Sequence, residues 1–113
     1  MKAISFSVLT MVSATPALAA EVEIPRSVSG DKGRYYLLES NNEGGIIKTL
    51  HKRIGVDSVG YTRCEINCKA MKIRDIGYSE EGPDKIMPDP TKWYDLVQGS
   101  SKSDMVNFVC KKK

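Results

Sequence analysis

Period-two alternation dominates the middle of the chain. Thr62, Cys64, Ile66 and Cys68 alternate against Tyr61, Arg63, Glu65 and Asn67, the pattern of a half-buried strand. "MKIRDIGY" carries the alternation on, with Ile73 and Asp75 opposite Arg74 and Ile76. Upstream, "RYYLLES" gathers Tyr35, Tyr36, Leu37 and Leu38 ahead of the cluster Asn41, Asn42, Glu43, Gly44 and Gly45, which predicts a strand leading into a reversal. In "IIKTLHKRIGV", Ile46, Leu50 and Ile54 fit a helical stripe or one face of a strand, because their spacing is even. The β-branched residues and Gly-rich flanks favour the strand. A turn over residues 57–60 follows it. "SEEGPDKIMPDPTKW" contains Pro83, Pro88 and Pro90 and reads as loop, with room for one short strand at residues 85–87.

The last element differs in kind. "GSSKSDMVNFVCKKK" opens with Gly99, offers Ser100, Ser101 and Ser103 as N-caps and places Asp104 in the first turn. Met105, Phe108 and Val109 then form one stripe, with lysines at the end. That is a capped amphipathic helix whose charges suit its dipole. Strands followed by one terminal helix predict an α+β domain: a small antiparallel sheet with the helix packed on one face.

The N-terminus belongs to neither pattern. "MKAISFSVLTMVSATPALAA" has Lys2, an apolar run over residues 3–12, Pro16 and the small-residue pattern of Ala17, Leu18 and Ala19, which reads as a secretory signal peptide over residues 1–19. Its apolar run is shorter than the about 20 residues a membrane span needs, and no later segment is apolar enough for one. Residues 20–33, with Pro25, Gly30 and Gly33, read as a flexible lead-in holding at most a short edge strand. Order is expected to begin at Arg34, leaving residues 34–113 as the single domain. No cysteine follows the cleavage site, so the expected product is periplasmic or secreted without a lipid anchor.

Charge changes the picture little. Removing Lys2 and residues 111–113, all lysines, turns the formal charge from +3 to −1. Basic residues are neither spread along a face nor interleaved with aromatics, which argues against nucleic acid as a partner. The lysine tail reads as a solvated end beside the negative pole of a helix.

Cys64, Cys68 and Cys110 are the cysteines. On one strand Cys64 and Cys68 stand about 13 Å apart, beyond the about 7 Å that a disulfide allows between Cα atoms. In an exported protein either can pair with Cys110, and since both sulfurs face the same side, alternation does not choose. Such a bridge would tie the helix to the sheet. By loop closure it stabilises by roughly 4 kcal/mol, a large share of the roughly 5 to 15 kcal/mol that a domain possesses. C-x-x-x-C on a strand lacks the form of a redox site.

Signals for catalysis are weak. His51 is the single histidine, flanked by charge, and reads as a surface imidazole rather than a base. Gly55, Ser58 and Gly60 do not have nucleophile-elbow spacing. One histidine beside thiols expected to be oxidised makes a poor zinc site, and "DKIMPDPTKWYD" lacks the glycine and terminal glutamate of a calcium hand. No cofactor or metal is expected. Trp93 and Tyr94 could form a recognition platform, but a lone tryptophan in so small a domain more often covers the core.

The pattern "YTRCEINCKAMKIRDIGY" followed by "KWYDLVQGSSKSDMVNFVCK" resembles the surface-adhesin protein E family of exported proteobacterial proteins. The likeness runs over residues 33–111: an acidic-x-x-Cys strand, a tryptophan, a Gly-Ser helix start and a C-terminal cysteine. It implies an antiparallel sheet with the terminal helix tethered by one disulfide, Cys68 to Cys110. Cys64 is then a free thiol at an inward strand position, buried and inert or open to a disulfide-linked homodimer. The best-studied type of the family is a host-matrix-binding surface lipoprotein that can dimerise. This chain departs from it in lacking the lipid-bearing cysteine, so surface display does not carry over. The function expected is a non-enzymatic exported binding module for host-matrix or other protein ligands. The alternatives are a periplasmic inhibitor or accessory subunit docking a protein partner, and, behind both, a hydrolase built around His51.

Overall fold

The computed structural model describes residues 21–28 and 32–111; residues 1–19, expected as a signal peptide, lie outside them. Its sheet has six strands in chain order: β1 (Val22–Glu23), β2 (Arg34–Glu43), β3 (Ile46–Ile54), β4 (Val59–Asn67), β5 (Lys72–Ser79) and β6 (Tyr94–Asp95). Each is antiparallel to its neighbour. Helix α1 (Ser101–Lys111) follows. The fold is α+β with the helix tied to the sheet by a disulfide, as expected.

Turn chemistry sets the register. β2 runs through Asn41, Asn42 and Glu43, read from sequence as turn, and reverses only at Gly44 and Gly45, whose φ angles are 64° and 93°. Two successive left-handed residues make the tight hairpin that matches strand twist, and glycine adopts them without strain. The turn between β3 and β4 also comes earlier than residues 57–60: Gly55 N donates to Ser58 O at 2.8 Å, and Val59 is already strand.

The reversal between β4 and β5 corrects the sequence expectation, where alternation runs unbroken from Thr62 to Ile76. Residues 68–71 form a turn with neither Gly nor Pro; Asn67 Oδ1 accepts from Ala70 N at 3.0 Å and Met71 takes φ 55°. An asparagine side chain substitutes for turn glycine here. The strand expected at residues 85–87 is also displaced. Pro83–Lys85 is a 3-10 helix, started by a proline whose fixed φ suits it, and the last strand is β6. Between them Asp89 N and Thr91 N donate to Ile76 O and Asp75 O, shielding part of the β5 edge.

One face of the sheet carries the core. Ile24, Leu37, Ile47, Cys64, Ile66 and Ile73 meet Met105, Val106 and Val109 of α1, and Ile66, Ile73 and Val106 are wholly buried. Ser100 caps the helix, its Oγ accepting from Ser103 N at 3.1 Å. The lead-in is less loose than expected, and residues before Arg34 belong to the domain. Ile24 is in the core, with its N donating to Tyr35 O. Arg26 Nε and Ser27 N both donate to Asp104 Oδ2, at 2.7 and 3.1 Å. A buried carboxylate at a helix start needs such donors, so Asp104 straps this segment over the beginning of α1.

Cys68 is bonded to Cys110, with 5.6 Å between their Cα atoms; Cys64 is free and buried. Breaking the bridge frees the helix end from a loop of sequence separation 42. Replacing Cys68 and Cys110 by alanine together should lower stability by about 4 kcal/mol. Urea denaturation checks this, and the unmutated chain in reductant should show the same drop while the double variant shows none.

Candidate functional site

The disulfide fixes where the helix ends on the sheet, and length fixes how far it reaches. From Cys110 back to Lys102 the helix covers about 12 Å at 1.5 Å per residue. From Cys68 back to Cys64, β4 covers about 13 Å. Lys102 therefore arrives over Cys64 and its register partner Asp75. About as much of β4 again, through Thr62 to Gly60, extends past the helix start.

The strands change composition where the helix stops. The helix-facing positions of β3 run Ile47, Thr49, His51, Arg53, and those of β4 paired with them run Ile66, Cys64, Thr62, Gly60. Apolar residues lie under the helix and polar ones beyond it. Two cavities open there. The larger, about 540 Å³, is lined by Thr62, Asp75, Tyr78, Met87, Asp89 and Lys102 among others. The smaller, about 190 Å³, includes Tyr35, His51, Arg53, Thr62, Tyr78 and Lys102 in its walls. Thr62, Tyr78 and Lys102 belong to both, so the two form one cleft. A Cβ at Gly60 would come within 2.5 Å of the Tyr78 hydroxyl; glycine there lets the tyrosine lie across the sheet.

Asp75 is the hub between core and cleft. It accepts from Lys102 Nζ at 2.9 Å, Tyr94 Oη at 3.1 Å and Cys64 Sγ at 3.4 Å, which joins β4, β5, β6 and α1. Burial alone would raise its pKa, but hydrogen bonds and charge, led by Lys102, hold it below the usual carboxylate range. Burial likewise opposes the charge on Lys102, and Asp75 more than restores it, leaving its pKa raised. Burial pushes the Cys64 thiol well up. It is a protonated donor in this network rather than a nucleophile.

His51 is buried at 5% exposure, which corrects the expected surface imidazole. Its charged neighbours in sequence mislead because alternation turns Lys52 to the other face. Burial, and then the Lys102 charge, lower its pKa to about 4. Among the described residues its Nδ1 has no hydrogen-bond partner, nor has Oγ1 of Thr49, two residues away on the same face. Trp93 corrects a second expectation, since it stays outside the core cluster and is half buried, with the Arg74 guanidinium 5.1 Å from its ring centre. Its neighbour Tyr94 packs on the core instead. Among the described residues no group of three or more His, Cys, Asp or Glu is placed to hold a metal ion.

Sequence reasoning singled out Cys64 and His51 separately and missed Asp75, Lys102 and Tyr78. The signal available was the loss of apolar character along the inward positions of adjacent strands. Those positions align only once the turn at residues 68–71 is known.

The low pKa of His51 has a consequence for stability. The unfolded imidazole takes up a proton below about 6.5 and the folded one only below about 4, so the unfolded state binds more protons between those values. Stability should therefore fall as pH drops from 6.5 to 4, by up to about 3 kcal/mol for a shift of this size. Urea midpoints measured across that range should show the slope, and His51→Leu should flatten it.

No family model, characterised protein or solved structure matches this chain.

Proposed function

We propose that the chain is a small exported, non-enzymatic binding module, similar in kind to surface-adhesin protein E, whose ligand enters the cleft beyond the helix start. Export is supported by the N-terminal pattern of residues 1–19 and by the disulfide, which oxidising compartments favour. The non-enzymatic reading is supported by the state of the two groups that chemistry would need. Cys64 is buried and held as a thiol, and His51 is buried with its Nδ1 bonded to no nucleophile or orienting carboxylate.

The observation that carries the binding site is the cleft itself. Side chains from β2, β3, β4, β5 and α1 converge on it, and a concave site with convergent polar groups is the usual form of a ligand site. On the opposite face charged side chains are engaged with one another: Arg74 with Glu65, Arg63 with Glu39 and Lys48 with Glu43.

Tyr78, 55% exposed on the cleft, and Trp93 on the opposite face separate these surfaces. The tagged chain, captured against host-matrix proteins and periplasmic extract, should lose its ligand at least tenfold with Tyr78→Ala and keep it with Trp93→Ala. Capture abolished by Trp93→Ala and untouched by Tyr78→Ala would place binding on the outer face and overturn the cleft as the site.

A further inference from the structure

The two ends of the cleft differ in charge. The larger cavity carries two carboxylates, Asp75 and Asp89. The smaller one has the cationic side chains Arg53 and Lys102 and the hydroxyls of Ser58, Thr62 and Ser101 in its walls, with no carboxylate among the described residues that line it. Taking the cleft as the ligand site, we propose that the smaller cavity is a binding site for an oxyanion, a carboxylate or phosphate group of the ligand whose adjoining part lies in the larger cavity.

Three features of the cavity meet this chemistry. Lys102 lines it with an ammonium group that has three N–H donors. Asp75 at 2.9 Å and Tyr94 at 3.4 Å account for two of them, and the third remains for a ligand oxygen. Ser101 and Lys102 are also the first residues of α1, so the positive pole of an 11-residue helix faces the same space.

His51 supplies the independent indication. It lines the cavity at 5% exposure, and Nδ1 has no partner among the described residues. Buried polar groups are normally satisfied, and none of the described residues fixes the tautomer at Nδ1. An anion in the cavity would select the tautomer that directs N–H toward it, giving the neutral ring a donor role. Arg53 is steadied beside it by its Nε bond to the Tyr35 hydroxyl at 2.9 Å, which keeps the guanidinium in the wall. Size agrees as well, since about 190 Å³ admits a small charged group and excludes a folded chain.

The test is an NMR titration of the oxidised chain at pH 6 with sodium acetate and with sodium phosphate, against sodium chloride at matched ionic strength. Saturable shifts at the Ser101 and Lys102 amides and the His51 ring are expected. Acetate alone would identify a carboxylate site and phosphate alone a phosphate site. Lys102→Gln should weaken binding by about tenfold, the loss of one charge-assisted hydrogen bond, while Lys48→Gln, which removes the same charge from the opposite face, should not weaken it. Because Lys102→Gln also leaves Asp75 without its cation, the unmutated titration is decisive by itself: shifts that never saturate, or that chloride reproduces, overturn the site. Ligand capture that depends on Tyr78 without any oxyanion binding would overturn this inference and leave the cleft as the binding surface. Oxyanion binding in a chain whose capture ignores Tyr78 would do the reverse.

Discussion

The bond between Cys68 and Cys110 decides the layout of this domain, because it anchors a short helix at one end of a longer sheet. Cys68 follows directly on β4 and Cys110 is next to last in α1. A strand advances more than twice as far per residue as a helix, so α1 runs out near the middle of β4. Had the helix been longer, or the bridge been made from Cys64, the polar half of the sheet face would be covered. The staple that compensates for a small core thus also opens the cleft.

The helix is held at its start as well, by two carboxylates with separate roles. Asp104 lies within α1 and draws Arg26 and Ser27 over it; Asp75 lies on the sheet and draws down Lys102. Together with the disulfide these contacts fix the helix's rotation, since residues 102 and 104 must reach opposite ways. The ammonium of Lys102 is thereby set at the boundary between the two cavities. Its pairing with Asp75 is only part buried, at 27% and 31% side-chain exposure, so solvent still weakens the attraction. The value of the pair lies in positioning as much as in stability.

Much of this frame was legible because strand alternation and helix capping act locally. β4 and the helix could be read from period two, from Ser100 and from the terminal lysines, and β3 from its β-branched residues and Gly-rich flanks, without knowing any long-range contact. The turn at residues 68–71 could not, because Asn67 and Met71 form it through a side-chain hydrogen bond and a strained φ rather than through Gly or Pro. β6 was missed because it has two residues and no period. The cleft was harder still. In β3 the more apolar set, Ile46, Leu50 and Ile54, lies on the outer face, while Thr49 and His51 are buried inward. Hydrophobic pattern alone would have pointed the strand the wrong way; the facing residues Ile66 and Cys64 on β4 set its orientation.

The same reversal explains why the two faces of the sheet differ in what they have left to offer. Leu50 is only 3% exposed on the outer face. It lies opposite Glu39 on β2 and Arg63 on β4, which bond each other at 3.2 Å across β3. Tyr36 is flanked by Arg34 and Lys52, and Trp93 by Arg74, so the outer aromatics already have cationic neighbours. A ligand would have to displace contacts to bind there. The cleft has engaged groups too, Arg53 with Tyr35 and Lys102 with Asp75, but among the described residues the buried polar atoms without partners, His51 Nδ1 and Thr49 Oγ1, both belong to the inward face. Buried polar groups without partners are costly, and a domain this small keeps few of them without a reason. The face that retains that cost is the one where binding has most to gain.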